Sequence, residues 1–175
     1  MGMVRLASRA IIGTFADTAG VSRTITELAR IGVNPVDVSL VAKADTVEAL
    51  RVPRRVRWPL SLLGKRGAWL LEPESFEKPE FGKLIAAGPL ADVLIASPST
   101  SPVGALVMQG IPQQDALTFA DLLLHGKALI LVGVVDRTMG ERVREALERV
   151  GGEQVTYYSG RPYGTAFHGT GPGLR

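Results

Sequence analysis

The chain has 175 residues, 46% hydrophobic and 21% charged, which is enough for one core-forming domain and excludes a compositionally disordered chain. Its formal charge of +3 is unevenly placed: residues 51–67 hold five arginines and one lysine without an acid, leaving the remainder at about −3. The absence of cysteine excludes disulfides and thiol chemistry, and an aromatic share of 6% predicts a core built mainly from Val, Ile, Leu and Ala.

The opening run MGMVRLASRAIIGTF flanks a short apolar stretch with charge and lacks the long apolar core of a signal peptide, so a cytoplasmic location is expected. Residues 10–17, AIIGTFAD, predict a strand that ends in an aspartate. In TAGVSRTITELARIG, Val21, Ile25, Leu28 and Ala29 share one helical face and Gly32 is the stop. VDVSLVA (36–42) then predicts a half-buried strand.

Residues 43–83 show little periodicity and contain Pro53, Pro59, Pro73 and Pro79. Within them GAWLLEPE (67–74) has room for one short strand, and EPESFEKPE (72–80) reads as a polyampholyte loop beside the basic run. The stretch from Gly82 to Ile130 reads as short helices joined by Gly and Pro, with Pro89 and Pro112 placed as first helical residues. The last of these helices carries the apolar stripe Ala116, Phe119, Ala120, Leu123 and Leu124 and ends at Gly126. The longest apolar run, Leu84 to Ser97, is broken by Pro89 and Asp92, which argues against an integral membrane protein.

Near the C-terminus the first pattern returns. ALILVGVVD (128–136) predicts a strand ending in Asp136. RTMGERVREALERVG places Met139, Val143, Leu147 and Val150 inward before Gly151, and EQVTYY (153–158) closes the unit. At a shift of 119 residues Asp17 overlies Asp136, Leu28 overlies Leu147, Gly32 overlies Gly151 and Val36 overlies Val155. Helix 137–150 adds the pairs Arg144/Glu148 and Glu145/Arg149 at i,i+4.

Two such units predict an α+β fold: a ferredoxin-like four-stranded antiparallel sheet from two βαβ units, both helices on one face, with a mostly helical middle segment inserted. The expected single domain covers 1–158, divided into a βαβ repeat at 10–42, an insertion at 43–127 and a second repeat at 128–158. The tail 159–175 is expected to be flexible. One of Tyr157 and Tyr158 would lie on the sheet's other face, which needs cover from the middle segment or a second subunit.

IIGTFADTAGVSRTITELARIGVNPVDVSLVAK resembles the opening of bacterial general stress proteins of the heat- or salt-induced YflT type. In these a strand, an acidic turn, an amphipathic helix and a glycine precede a DVSLV-like strand. AAGPLADVL, followed by GALVMQGIPQQDALTFADLLLHGKALILVGVVD, resembles the second part of the same group, with its AAGPL element, its GIP and the helix, glycine and strand after them. The resemblance covers roughly 10–43 and 84–157. It implies a stress-associated bacterial protein and carries over neither catalytic residues nor a cofactor; the segment 51–67 departs from it.

The residues themselves offer no catalytic set, metal site or cofactor site. Asp17 and Asp136 stand at strand-to-helix junctions, where a carboxylate caps free N–H groups. His125 sits at a helix C-terminus and His168 in the tail. Ser97, Ser99 and Ser101 in SPSTSP lack a nucleophile motif and suit a cap for a helix starting near Pro102. The glycines of LHGK and GTGPG match no nucleotide-binding fingerprint.

The one binding candidate is RVPRRVRWPLSLLGKRG, in which Arg51, Arg54, Arg55, Arg57, Lys65 and Arg66 could grip phosphates while Trp58 stacks on a base. As a helix, residues 54–66 would line up Trp58, Leu62 and Lys65 as a membrane-surface element. A structural connection packing Trp58, Leu60 and Leu63 on the core is the third use of the same stretch. The leading expectation is a non-enzymatic stress-associated protein assembling with itself as a dimer, motivated by an exposed sheet face and the apolar GALVMQG. A nucleic-acid- or anion-binding module and a small-ligand-binding regulatory domain are the alternatives.

Overall fold

The computed structural model describes residues 9–45, 56–57, 70–71 and 74–159. Two long apolar strands, β1 (Arg9–Phe15) and β7 (Ala128–Val134), run antiparallel with Arg9 opposite Val134 and Phe15 opposite Ala128. Both are buried along nearly their whole length. A strand covered on both faces has no polar side, which is why ALILVGV reads as an unbroken apolar run.

Each of these strands turns into a helix over an aspartate. Asp17 accepts from the N–H of Gly20 at 2.6 Å ahead of α1 (Thr18–Arg30), and Asp136 accepts from the N–H of Met139 at 2.7 Å ahead of α5 (Arg137–Arg149). At the far ends Gly32 and Gly151 take φ of 87° and 92°. There the N–H of Val33 donates to Leu28 O and that of Gly152 to Leu147 O, occupying the last free carbonyls. From Arg9 to Ala128 and from Thr18 to Arg137 the offset is the same 119 residues. It then lapses: β2 (Val38–Lys43) waits for a 3₁₀ turn at Pro35–Asp37, whereas β8 (Glu153–Tyr158) begins directly after the glycines.

The main sheet has six antiparallel strands in the order β5-β6-β2-β7-β1-β8, where β5 is Glu74–Lys78 and β6 is Gly82–Ala87. Four strands were expected, and the insertion supplies the other two. β2 is not an edge, because Leu40 to Lys43 pair with Ala87 to Leu84 of β6. Thus GKLIAA, expected to be helical, is a strand, and ESFEK, expected in a loop, is the sheet's outer strand. Five or six residues are too few to display a helical or strand period. Their state is decided by the open backbone groups of β2 beside them.

Helices cover both faces. On one side α1 and α5 pack Ile25, Leu28, Val143 and Leu147 on Ile11, Phe15, Ile130 and Val132. Arg149 of α5 reaches across to Glu27 of α1, which Arg30 also holds at 2.6 Å, and the carboxyl of Glu27 is lowered first by its hydrogen bond to Arg30. On the other side lie α2 (Pro89–Ala96), α3 (Pro102–Met108) and α4 (Gln113–Leu124), whose Leu94, Leu106, Phe119 and Leu123 pack on Ile12, Val41, Leu84 and Leu129. The second face is therefore not exposed, which removes one of the two grounds for expecting a dimer: the insertion itself buries it. Tyr157 packs with the α1 and α5 core and Tyr158 with the other. Gly140 allows this, since a Cβ there would stand 2.4 Å from the Tyr157 ring.

Candidate functional site

Of the predicted binding segment, Arg51, Arg54, Arg55, Trp58, Lys65 and Arg66 lie outside the described residues. Arg57 lies in a two-residue strand, β3 (Val56–Arg57), which pairs antiparallel with β4 (Leu70–Leu71) and sets Arg57 opposite Leu70. Extended backbone at 56–57 overturns the single helix over 54–66, because ladder pairing and helical dihedrals exclude each other. The short strand expected within GAWLLEPE is β4. The tail beyond Ser159 is outside the described residues.

The described residues that bear on function are those of the inserted layer, α2 to α4. Three polar joints fix it to the sheet. Ser39 Oγ of β2, 2% exposed, accepts from the N–H of Leu90 at 3.0 Å and so holds the first turn of α2. Lys78 of β5, 4% exposed, donates from Nζ to Ser97 O at 3.0 Å and Pro98 O at 3.3 Å, just past the C-terminus of α2. A cation at that end also faces the negative pole of the helix, and its ammonium stands 6.0 Å from the Phe76 ring centre.

The third joint is Tyr158, whose hydroxyl donates to Asp115 Oδ2 at 2.7 Å and ties the edge strand β8 to the first turn of α4. Burial first, and the Asp115 hydrogen bond second, push this phenol well above the usual tyrosine range. Between α2 and α3, Ser101 Oγ accepts from the N–H of Gly104 at 3.1 Å, the cap expected for SPSTSP. His125 Nδ1 lies 2.7 Å from Asp121 O at the end of α4, donating to the helix's last turn as its position suggested.

Outward, the two helical layers differ in kind. α1 and α5 carry ten charged residues, of which Arg144 bridges Glu141 and Glu148. α2, α3 and α4 carry only Asp92, Asp115 and Asp121, and not one cation. Instead Ile95, Met108, Leu117 and Leu124 are exposed there, Leu117 at 53% and Met108 at 44%. Met108 belongs to the GALVMQG stretch marked from the sequence, whereas Leu117 sits between the predicted core positions Ala116 and Phe119 and gave no signal of its own. Such a surface supplies apolar contact and a few carboxylate acceptors.

Among the described residues no group of His, Asp and Glu has the geometry to hold a metal ion, and no helix is long and apolar enough to cross a membrane. The chain matches no protein-family model, no curated protein and no solved structure.

Proposed function

We propose that this chain is a non-enzymatic, stress-associated bacterial protein that assembles with itself through the outward surface of α2, α3 and α4. The observation that carries the proposal is the contrast between the two layers: a charged outer surface on α1 and α5, and an apolar one without cations on the insertion. Apolar side chains that stay in water cost free energy that a second copy recovers on contact.

The ferredoxin-like reading of the core belongs to the same proposal. It is supported by the consecutive order β8-β1-β7-β2, all antiparallel, with α1 and α5 on one side. A duplicated βαβ unit is supported by the shared 119-residue offset of strand, cap and helix. The stress-protein reading is supported by the way its two quoted motifs meet. Ser39 of DVSLV accepts from Leu90 of AAGPL, and Gly88 of AAGPL lies so close to Val38 that a Cβ would come within 2.0 Å of its carbonyl oxygen. Two motifs far apart in the chain thus form one joint between strand and helix.

Sedimentation of the full chain from nanomolar to high micromolar concentration tests the association. The average mass is expected to rise, and Leu117→Glu to weaken association about tenfold or more, since one buried leucine is worth about 1.5–3 kcal/mol. A monomer at every concentration overturns the proposal.

A further inference from the structure

We propose a second contact with a copy of this chain, in which β8, an edge strand among the described residues, pairs antiparallel with β8 of the other molecule. It goes beyond the association through α2 to α4 and rests on a different observation, the unequal protection of the sheet's two edges. Among the described residues, β5 and β8 end the sheet, each paired on one side only. β5 presents exposed Glu74 and Glu77 along its five residues, charges that keep another strand away.

β8 has no such guard. Its single acid, Glu153, is held by Lys127 Nζ at 2.8 Å, and the rest of the strand, Gln154 to Tyr158, is uncharged and free of proline. A bulge, with Gln154 at φ 53° and a register shift opposite Ile12 and Thr14, confines irregularity to the start of the strand. From Thr156 to Tyr158 the pairing with Ile12, Ile11 and Ala10 is regular, so the outer side of this stretch presents the donor and acceptor of alternate residues in the antiparallel pattern. Val155, Thr156, Tyr157 and Tyr158 are all half-buried, and a neighbouring strand would cover their open flanks.

The occupant that fits is β8 itself. A two-fold axis at Tyr157 keeps the contact within the regular stretch and sets Thr156 opposite Tyr158, a β-branched residue beside an aromatic on one face, with the two copies of Tyr157 side by side on the other.

Hydrogen exchange and sedimentation on the full chain test this together. Those amides of residues 155–158 that point away from β1 are expected to exchange more slowly as protein concentration rises. Gln154→Lys with Thr156→Lys, which adds cations to the edge, is expected to weaken association about tenfold or more. Exchange at 155–158 that does not change with concentration overturns the β8 contact. If the amides that point away from β1 are protected even in the monomer, the chain covers its own edge and the proposal is equally overturned. Should the double variant fail to fold, the exchange measurement on the unaltered chain decides alone. Association abolished by Leu117→Glu but untouched by the lysines removes this contact and leaves the α2 to α4 surface standing; the reverse result does the opposite.

Discussion

Gly88 and Gly32 both have positive φ, 80° and 87°, yet their surroundings differ: a Cβ at Gly88 would meet Val38 O at 2.0 Å, and one at Gly32 would meet nothing within 4 Å. Gly32→Ala is expected to cost about 1–2 kcal/mol, the strain of a left-handed alanine. Gly88→Ala is expected to cost about 3 kcal/mol or more, because the joint between β6, α2 and β2 must move as well. Urea denaturation of the two variants separates the contributions. Tyr158 supplies a pH test. Its pKa is raised in the folded state, so the stability it contributes is complete below the unfolded value of about 10 and is lost as pH rises above it. Tyr158→Phe is expected to cost about 1 kcal/mol at neutral pH and to flatten the alkaline loss, read from melting temperature against pH. At this scale the sequence revealed what acts locally. Asp17, Asp136 and Ser101 each cap a residue three positions on. Ser39, Lys78 and Tyr158 bind partners 51, 19 and 43 residues away, and no local pattern could mark them.

Among the elements, α1 and α5 were legible because an amphipathic run between a capping aspartate and a glycine stop satisfies both helix ends without outside help. Asp17→Ala and Asp136→Ala are each expected to cost about 1 kcal/mol, nearly additively in the double variant because the two caps share no partner. Thermal or urea unfolding checks both values and their sum. The pairing of charges on the helices was half legible: Arg144 does reach Glu148 at i,i+4, but Arg149 turns to Glu27 on the neighbouring helix. β5 and β6 were not legible at all. ESFEK is acidic and GKLIAA is short, and each is a strand only because β2 leaves an edge for β6 and β6 leaves one for β5.

The molecule as a whole is a sheet between two helical layers whose attachments differ. The α1 and α5 layer follows directly from the chain path, each helix returning over the strand that precedes it. The inserted layer depends on its joints, and Lys78 is the most buried cation among the described residues. Lys78→Met keeps the length of the side chain but removes the donor to Pro98 O and leaves Ser97 O with only the N–H of Thr100. It is expected to cost about 1–3 kcal/mol and to speed amide exchange in the link between α2 and α3 before it affects α1 or α5. Equal acceleration in both layers would show that the layers open together.

By itself the sequence determined the two strand-cap-helix units, the α5 ion pair of Arg144 and Glu148, the cap at Ser101 and the inward positions Ala116, Phe119, Ala120 and Leu123 of α4, though not Leu124, which is exposed, because each depends on residues within a turn or two of one another. Only the tertiary structure decided that the sheet has six strands, that the insertion covers its second face, and that Ser39, Lys78 and Tyr158 hold that cover in place. Backbone pairing and burial are settled between segments distant in the chain, where the energy belongs to the contact and neither segment carries its mark alone.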